Sequence, residues 1–481
     1  MCFRSAIAPD RRGSQGPRPG TPDLRKALWA GAASLLAVAG CTASADEVRP
    51  PADQFFFPTG LALDPSESRL FVVNANSELR YDSGTVNVLN LAVVSSVIDD
   101  WTARRQAASG CAADPEQTET LVCDEEPFIL ADAGVRVGNF ATGLALQATT
   151  AGARLILPVR GDPSITWIDW NKDSNRLACD DGSSGFAFCD DKHRLTSLRN
   201  NEELGLLPEE PFRVYAESAT ANGAEASYAL VTHLDNGDVT LIDTRQDRSP
   251  VIADVARNVF FGTSSTVPGG TAIAGRPRGP SDPTDSPTLL YAVSRSEDRV
   301  QMMTVQPAVG NASPYLVPSN YFFLDAAGGN NGGSSDSRGL AFTKDGSRML
   351  VANRRPPTLQ VYDTTLDSNG FPRNTPVAVY DICREASGLT VADINGAAEG
   401  GELAVVTCFR DGTVYLIDAY GRRAADAIVR VGRGPFDVVI SPVLQKAFIT
   451  NFLEDSIGVI DLKPGSATQF REVLRIGETR Q

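Results

Sequence analysis

Six arginines lie at or beside the turns that join short β-rich runs, and these side chains are well suited to binding an anion. They are Arg160, Arg295, Arg338, Arg354, Arg410 and Arg433. If the runs are strands of one radial array, their turns meet at one face, where guanidinium forks would pair with carboxylates or phosphates in a bidentate way. We therefore predict an anion-binding funnel. The alternative is a set of exposed arginines paired with local acids (Asp162, Asp298, Asp411), which would contribute little to stability.

One segment resembles a calcium-binding loop, because oxygen-bearing side chains alternate along it. The residues are Asp169, Asn171, Asp173, Asn175 and, at the twelfth position, Asp180. Hard cations take oxygen ligands in such patterns. The segment departs from the pattern, since Ser174 replaces the glycine of the sharp turn and Asp180 replaces the bidentate glutamate. The alternative is an ordinary turn after a strand, where Asp and Asn are common. Calcium is thus an open possibility, and no other cofactor is predicted.

Residues suited to nucleophilic or acid–base catalysis are scarce. The chain has two histidines, His193 and His233, and neither has a serine or carboxylate at a recognisable spacing. The sequence contains no G-x-S-x-G, P-loop or dinucleotide-binding motif. We therefore predict no catalytic residue, and we expect both histidines to be hydrogen-bonded in the fold or exposed to solvent.

The elements that must position these side chains form a repeat. Its last run reads apolar-x-apolar-apolar and usually ends in Asp. The copies are Val86–Asn90, Ile165–Asp169, Val239–Asp243, Val300–Thr304, Leu359–Asp363, Val414–Asp418 and Ile457–Asp461. Each follows a turn and a β-rich run such as RMLVAN (348–353), and further upstream lies a run of small residues such as TGLAL (59–63). The third copy has only a degenerate small-residue run, around Phe212–Ala216.

The spacing and the strand count predict the fold. The shortest copy fits a four-stranded unit of ~40–50 residues, the size of a propeller blade. Such a sheet cannot bury both faces alone, so blades stack around a channel, where small residues suit the crowded inner strands. We predict an all-β chain, a seven-bladed β-propeller of four-stranded antiparallel blades, whose last outer strand is Gln469–Gly477. The sequence leaves open whether an N-terminal strand closes the ring.

The repeat resembles a known family. Phe448–Asn451 (FITN) closely matches the YVTN motif, and Phe71–Asn74 and Leu350–Asn353 are looser copies. With the preceding small-residue strand and the trailing V-I-D, the chain is similar to the YVTN-type β-propeller repeat proteins of the lactonase-like seven-bladed superfamily. The resemblance covers roughly Phe55 to Gly477. It implies the fold, while the family includes binding proteins, lipoproteins and hydrolases, so it does not imply one activity.

The first 40 residues indicate export. A basic pair, Arg25-Lys26, precedes the short apolar run Ala27–Gly40, as in a secretory signal. The run ends LAVAG-Cys41, which resembles a bacterial lipobox with Cys41 as the lipidated residue. The alternative is an ordinary signal peptide cleaved near Ala43–Ala45. We predict a signal peptide (1–40), a tether (41–54) and a propeller (55–481) anchored by lipid to the outer membrane, since Thr42 is not the Asp typical of inner-membrane retention.

The charge balance excludes some partners. The leader carries six basic and two acidic residues, so the remaining chain has 38 basic and 57 acidic residues and a net charge of −19. Such a chain is unsuited to nucleic acid and to spreading on anionic lipid. Contact with a membrane is therefore predicted through the lipid anchor only. The partners left are an envelope protein, a glycan or an anionic small molecule.

Cysteine usage agrees with an oxidising compartment. Apart from Cys2 and Cys41, six cysteines remain, and no C-x-x-C spacing indicates a metal site. Fifteen connectivities are possible. Three sequence-local pairs are favoured, namely Cys111–Cys123, Cys179–Cys189 and Cys383–Cys408. The first two would staple insertions at about 99–137 and 171–211.

Together these observations favour a lipid-anchored binding or assembly module of the cell envelope, without catalysis. The alternative is a lactonase-like hydrolase that uses carboxylates at the channel mouth and a divalent cation. A quinone-dependent dehydrogenase is a weaker third possibility, since the tryptophan-rich blade motif of those enzymes is missing and the chain has four Trp.

Overall fold

The computed structural model describes residues 48–180, 186–217, 227–261, 267–283, 287–307, 312–324, 335–394, 401–422 and 425–477. The signal peptide (1–40), Cys41 and most of the tether predicted from the sequence lie outside these ranges. The described residues form seven sheets that contain 31 strands, together with one α-helix and two short 3-10 helices.

Each of the seven sheets contains a meander of four antiparallel strands, as predicted. Blade 1 is β1 (Pro58–Leu63), β2 (Arg69–Asn74), β3 (Gly84–Asn90) and β6 (Val135–Val137). Blade 2 is β7 (Ala145–Thr149), β8 (Gly152–Val159), β9 (Ser164–Asn171) and β10 (Arg176–Ala178). Blade 3 is β12 (Pro211–Glu217), β13 (Tyr228–His233), β14 (Val239–Asp243) and β15 (Val251–Ala256).

The remaining blades follow the same order along the chain. Blade 4 is β16 (Gly270–Gly275), β17 (Leu290–Ser294), β18 (Arg299–Gln306) and β19 (Tyr315–Phe323). Blade 5 is β20 (Ser337–Phe342), β21 (Arg348–Arg354), β22 (Pro357–Asp363) and β23 (Thr375–Asp381). Blade 6 is β24 (Ala386–Asp393), β25 (Glu402–Cys408), β26 (Thr413–Asp418) and β27 (Ala425–Arg430). Blade 7 is β28 (Pro435–Ser441), β29 (Lys446–Asn451), β30 (Ser456–Asp461) and β31 (Arg471–Ile476).

The first strand of every blade lies at the axis, and these seven inner strands contact one another in sequence. β28 also contacts β1, so the ring is closed. Because all the inner strands run in the same direction, their first residues and the turns after each second strand lie on one face. We call this face the channel mouth. The prediction of a seven-bladed propeller is confirmed.

Crowding at the axis explains the small residues of the inner strands. The third residue of each inner run is glycine or alanine in five blades. A β-carbon on Gly339 would lie 2.5 Å from Cβ of Leu389 in the next blade, and one on Gly388 would lie 2.8 Å from the carbonyl oxygen of Phe436. Neighbouring inner strands are therefore too close for a larger side chain there.

Hydroxyl groups join several of these inner strands. Thr59 donates to the carbonyl of Ala141 at 2.8 Å, and Ser387 donates to that of Pro435 at 2.6 Å. Thr142 and Thr271 make the equivalent bonds to the next blade. Since these groups are buried, the bonds satisfy carbonyls that would otherwise lack a partner.

The insertion of blade 1 packs on the outside of blade 7 and so adds a second link between the first and the seventh blade. It begins with helix α1 (Leu91–Arg104), capped by the Asn90 side chain, which accepts from the backbone N–H of Ala92 at 3.1 Å. The apolar face of α1 (Leu91, Val94, Ile98, Trp101) packs in a core shared by blades 1 and 7. The hairpin of β4 (Cys111–Ala113) and β5 (Leu121–Cys123) then adds to blade 7, where β5 pairs in parallel with β31. We call α1 and this hairpin the clamp.

The structure shows how the ring closes and what the insertion of blade 1 contains, which the sequence left open or did not predict. Blade 7 takes its four meander strands from the C-terminal part, and the N-terminal part contributes β5 and β4 outside them. Helix α1 was not predicted. The insertion also ends earlier than expected, because Val135–Val137 is the outer strand of blade 1.

The insertion of blade 2 covers neighbouring strand edges. It follows the outer strand β10 and contains the 3-10 helices Asp191–His193 and Glu202–Leu204 and strand β11 (Arg194–Leu195), which pairs with β9. Phe188 bridges Arg136 of blade 1, and Leu198 bridges Ile252 of blade 3, both in parallel. These contacts, like β5 on blade 7, protect edges that would otherwise expose unpaired backbone groups.

All three expected disulfides are present. Cys111–Cys123 links β4 to β5, Cys179–Cys189 closes part of the blade 2 insertion, and Cys383–Cys408 ties the start of blade 6 to β25. Within the described ranges, no helix is both long and apolar enough to cross a membrane.

Candidate anion-binding site at the channel mouth

Four of the six arginines of the predicted funnel come together at the channel mouth. Arg160 and Arg295 follow the second strands of blades 2 and 4. Arg354 ends the second strand of blade 5, and Arg338 lies in the inner strand of that blade. We call these four the arginine arc. The repeated strand–turn–strand pattern places them there, because each blade offers the same two positions at this face.

The four arginines are close enough for their charges to act on one another. Burial lowers the pKa of Arg295, and the positive charges of Arg338 and Arg160 lower it further. Burial and the charge of Arg338 likewise lower the pKa of Arg354, to about 10. Asp336 acts in the opposite sense on both side chains. The arc therefore concentrates positive charge in a chain whose overall charge is negative.

The partners of the arc are not the acids expected from the sequence. Arg160 pairs with Glu210, and Nε of Arg338 donates to Asp336 at 2.6 Å. Arg295 donates to the carbonyl of Leu234 at 3.2 Å. Two of the three acids named as local partners are engaged elsewhere: Asp162 pairs with Arg194, and Asp298 accepts from Ser335.

Arg354, like Arg295, donates to a backbone carbonyl. Its Nε donates to the carbonyl of Ala386 in blade 6 at 2.8 Å, and among the described residues it forms no ion pair. This hydrogen bond joins blades 5 and 6 at a place where blade 5 has Arg338 instead of the Thr or Ser hydroxyl of other blades. Arg354 is thus a half-buried cation whose described partner is a carbonyl.

Arg410 and Arg433 lie apart from this cluster. Arg410 is two-thirds exposed and lies 3.8 Å from Glu385. Arg433 is exposed, and its backbone N–H donates to Glu454. Neither is among the main charges that act on Arg295 or Arg354, although Glu385, the partner of Arg410, acts on Arg354. The anion-binding funnel stays a prediction, and only four of its six arginines, those of the arc, lie close together.

An ion pair spans the channel just below the mouth, and sequence reasoning missed it. Arg213 of blade 3 lies 3.5 Å from Asp437 of blade 7 and donates to the carbonyl of Ser387 in blade 6 at 3.2 Å. Asp437 also accepts from the backbone N–H of Leu61 in blade 1 at 3.3 Å. Burial raises the pKa of Asp437, and Arg213 partly counters this effect. Blade 3 is thereby tied to the opposite side of the ring.

The signal for this pair is present in the sequence. Arg213 and Asp437 stand at the third position of the inner run, where the other five blades have Gly60, Gly143, Ala272, Gly339 and Gly388. Two charges of opposite sign at positions otherwise reserved for minimal side chains indicate a contact across the axis.

The part of the mouth formed by blades 6, 7 and 1 is apolar. Phe452 lies with its ring centroid 5.3 Å from that of Phe57, 5.9 Å from Phe409 and 6.0 Å from Phe436. Arg213 lies over the ring of Phe436 at 5.3 Å. We call these four rings the aromatic cluster. The mouth thus combines a cationic arc with an aromatic wall.

The segment that resembles a calcium loop forms the β9–β10 hairpin. Arg154 binds both carboxylate oxygens of Asp169, at 2.8 and 3.1 Å. The Asn171 side chain accepts from the backbone N–H groups of Asp173 and Ser174, and that of Asn175 accepts from Arg69. A cation here would have to displace these partners. Within the described ranges, no three His, Cys, Asp or Glu residues are grouped so as to hold a metal ion.

Both histidines are hydrogen-bonded. His233 is fully buried, with Nδ1 3.0 Å from the carbonyl of Glu209 and Nε2 2.8 Å from the Thr240 hydroxyl. Burial lowers its pKa to about 4. His193 bonds Asp190 at 2.7 Å and stacks on Trp167. Neither lies in the arginine arc.

Comparison with known proteins gives a likeness of fold. No protein-family model and no curated protein matches the sequence. A solved protein from Bacteroides fragilis, described as a candidate 6-phosphogluconolactonase, covers 85% of this chain and 98% of its own at 12% identity, with a TM-score of 0.53. The periplasmic gluconolactonase PpgL from Pseudomonas aeruginosa covers 78% and 86% at 15% identity, with a TM-score of 0.47. At such an identity, the likeness to the Bacteroides fragilis protein is one of fold alone.

Proposed function

We propose that this protein is an exported, lipid-anchored binding module whose channel mouth takes an organic anion through its carboxylate or phosphate group. The environment of Arg354 is the observation that supports this proposal most strongly. It is a half-buried cation beside Arg338, its described partner is a backbone carbonyl, and burial and like charge lower its pKa. An incoming anion would offset both effects, because it adds an opposite charge beside the guanidinium.

The chemistry of the arc suits such a ligand. A guanidinium that uses Nε on a carbonyl keeps its two terminal nitrogens for a carboxylate or phosphate. The aromatic cluster offers an apolar wall on another part of the same mouth, so a ligand with an anionic head and an apolar or ring-shaped body would contact both. A glycan or an envelope protein that presents a carboxylate has the same chemistry at its point of contact.

Export is supported by features independent of the mouth. Three disulfides are the pattern of an oxidising compartment. The apolar leader run and the lipobox-like context of Cys41 would place the propeller on a lipid anchor. Thr42, the residue after the cysteine, favours the outer membrane. Radiolabelled palmitate incorporation that is lost in Cys41→Ser tests this part; equal labelling of both proteins would contradict it.

Calorimetric titration with 6-phosphogluconate tests the anion site, because this probe carries both a phosphate and a carboxylate. Since a charge-assisted hydrogen bond contributes about 1.5–3 kcal/mol, Arg354→Gln should bind at least about tenfold more weakly than the original protein. Arg354→Lys keeps the charge without the fork and should fall in between. Arg430→Gln, an exposed arginine in the outer strand of blade 6, is the matched control and should bind as the original does. Equal affinity of Arg354→Gln and the original would refute the site.

A lactone hydrolase is the alternative function, and one observation favours it. Asp437 is a largely buried carboxylate with a raised pKa at the channel, next to Arg213, and such groups are candidates for a general base. In that reaction the carboxylate would take a proton from water as the water attacks the lactone carbonyl, and the ring oxygen would leave as a hydroxyl. Turnover of 6-phosphogluconolactone that is abolished in Asp437→Asn would support the hydrolase over the binding module.

A further inference from the structure

A second cavity lies on the face opposite the channel mouth, between blades 3 and 4. It has a volume of about 830 Å³, within the range of small-molecule sites. The ends of β12 and β16 form its floor, with Tyr215, Glu217 and Gly275. Tyr228 and Leu289 at the starts of the second strands complete the walls, and the rim contains several prolines.

The floor of the cavity is closely fitted. A β-carbon on Gly275 would overlap the hydroxyl of Tyr215, so glycine is required for that tyrosine to lie where it does. The Tyr215 hydroxyl donates to Glu217 at 2.6 Å, and the Tyr228 hydroxyl bonds Thr288. Both phenols are therefore hydrogen-bonded in the cavity wall, and that of Tyr215 bonds the carboxylate.

Most charges that line the cavity are neutralised locally. Asp282 pairs with Arg276, and both are nearly buried. Asp243 is held by Arg245, whose Nε lies 2.9 and 3.0 Å from the two carboxylate oxygens. Glu217 is the exception, since among the described residues it has Tyr215 as its side-chain partner and no ion pair.

Two arginines also line the cavity, and both act on another acid. Arg276 pairs with Asp282, and the charge of Arg278 also lowers the pKa of Asp282. Within the described residues, Glu217 is therefore a lining carboxylate without an ion pair. Its negative charge is the one that a cationic ligand would balance.

The tyrosines remain neutral beside this carboxylate. Burial and the charge of Glu217 raise the pKa of both Tyr215 and Tyr228 far above neutrality. Their rings therefore present uncharged π faces, which attract cations electrostatically. A carboxylate between aromatic rings, in a cavity whose rim also contains prolines, matches the chemistry of an organic ammonium ion.

We propose that this cavity binds a small organic amine, with its ammonium group on Glu217 between Tyr215 and Tyr228 and its apolar body against the proline-lined rim. The site is separate from the anion site in place and in charge. Neither proposal depends on the other, because the two lie at opposite ends of the inner strands.

Calorimetric titration with phenethylamine tests the proposal, and 2-phenylethanol, which has the same shape without the charge, is the matched control ligand. We expect phenethylamine to bind with a dissociation constant below about 1 mM and the alcohol to bind at least about tenfold more weakly. Glu217→Gln should lose at least about tenfold in affinity for the amine. Glu203→Gln, an exposed acid in a 3-10 helix of blade 2, should not.

Three results would overturn the inference. They are equal affinity for amine and alcohol, unchanged affinity in Glu217→Gln, and no heat of binding at about 10 mM amine. Thermal melts by circular dichroism report whether each variant folds. Should Glu217→Gln fail to fold, the comparison of amine with alcohol on the original protein still decides the question.

Discussion

Replacing Arg213 by methionine would test the ion pair that spans the channel. Arg213 and Asp437 are 15% and 19% exposed, and their charged atoms lie 3.5 Å apart. At an effective dielectric constant of about 20, that separation corresponds to a gross attraction of about 5 kcal/mol, which desolvation of both groups offsets in part. Loss of one partner leaves a buried carboxylate without compensation. We therefore expect Arg213→Met to lower the free energy of unfolding by about 3 kcal/mol at neutral pH.

The loss should depend on pH in a defined direction. Burial already raises the pKa of Asp437, and without Arg213 that pKa rises further. A carboxyl whose pKa is higher in the folded than in the unfolded chain destabilises the fold as pH rises above about 4, and it costs nothing once both states are protonated. The difference between Arg213→Met and the original should shrink to about 1 kcal/mol near pH 4, the part due to the lost hydrogen bond to Ser387.

Urea unfolding at about pH 7.5 and about pH 4 measures these differences. The double variant Arg213→Met/Asp437→Asn removes both charges and should recover to within about 1 kcal/mol of the original at neutral pH. Glu78→Gln, which breaks an exposed pair with Arg80, is the surface control and should change the free energy of unfolding by less than about 1 kcal/mol. If Arg213→Met is equally destabilised at both pH values, the carboxylate of Asp437 is not the partner that we describe.

Two further predictions concern the clamp and the buried histidine. Replacing Cys111 and Cys123 by serine opens a loop with a sequence separation of 12, so the free energy of unfolding should fall by about 3 kcal/mol; urea midpoints that match the original under oxidising conditions would contradict this. His233, with its pKa lowered from 6.5 to about 4, should destabilise the fold by up to about 3 kcal/mol as pH falls between those values, because only the unfolded chain binds the proton there. His233→Gln should abolish that part of the pH dependence in unfolding titrations, and an unchanged slope would show that another group causes it.

The blades could be predicted from the sequence because their information is local and repeated. Runs such as Arg348–Asn353 and Leu359–Asp363 alternate with turn residues, and seven copies confirm one another. Even the degenerate inner strand around Phe212–Ala216 was found at Pro211–Glu217. The disulfides followed from sequence proximity, since each pair lies in neighbouring strands or within one short insertion.

The features that were missed depend on contacts between distant residues. Helix α1 has its apolar residues at helical spacing, but its packing surface is provided by blade 7 at the other end of the chain. The pair of Arg213 with Asp437 requires knowing which inner strands face each other across the axis. The arginine arc was predicted in outline, and the exclusion of Arg410 and Arg433 depends on side-chain placement that the repeat alone does not determine.

The parallel pairing of β5 with β31 has a consequence for how the chain reaches its native state. Residues 121–123 pair with residues 474–476, so a contact of very large sequence separation joins the insertion of blade 1 to the outer strand of blade 7. Contacts of such sequence separation form late and slowly. The clamp of blade 1 therefore docks only after β31 has been synthesised, although the chain between them already contains the other blades. Loss of β31 would remove the strand on which β5 pairs, while the inner strands β1 and β28 would still be in contact.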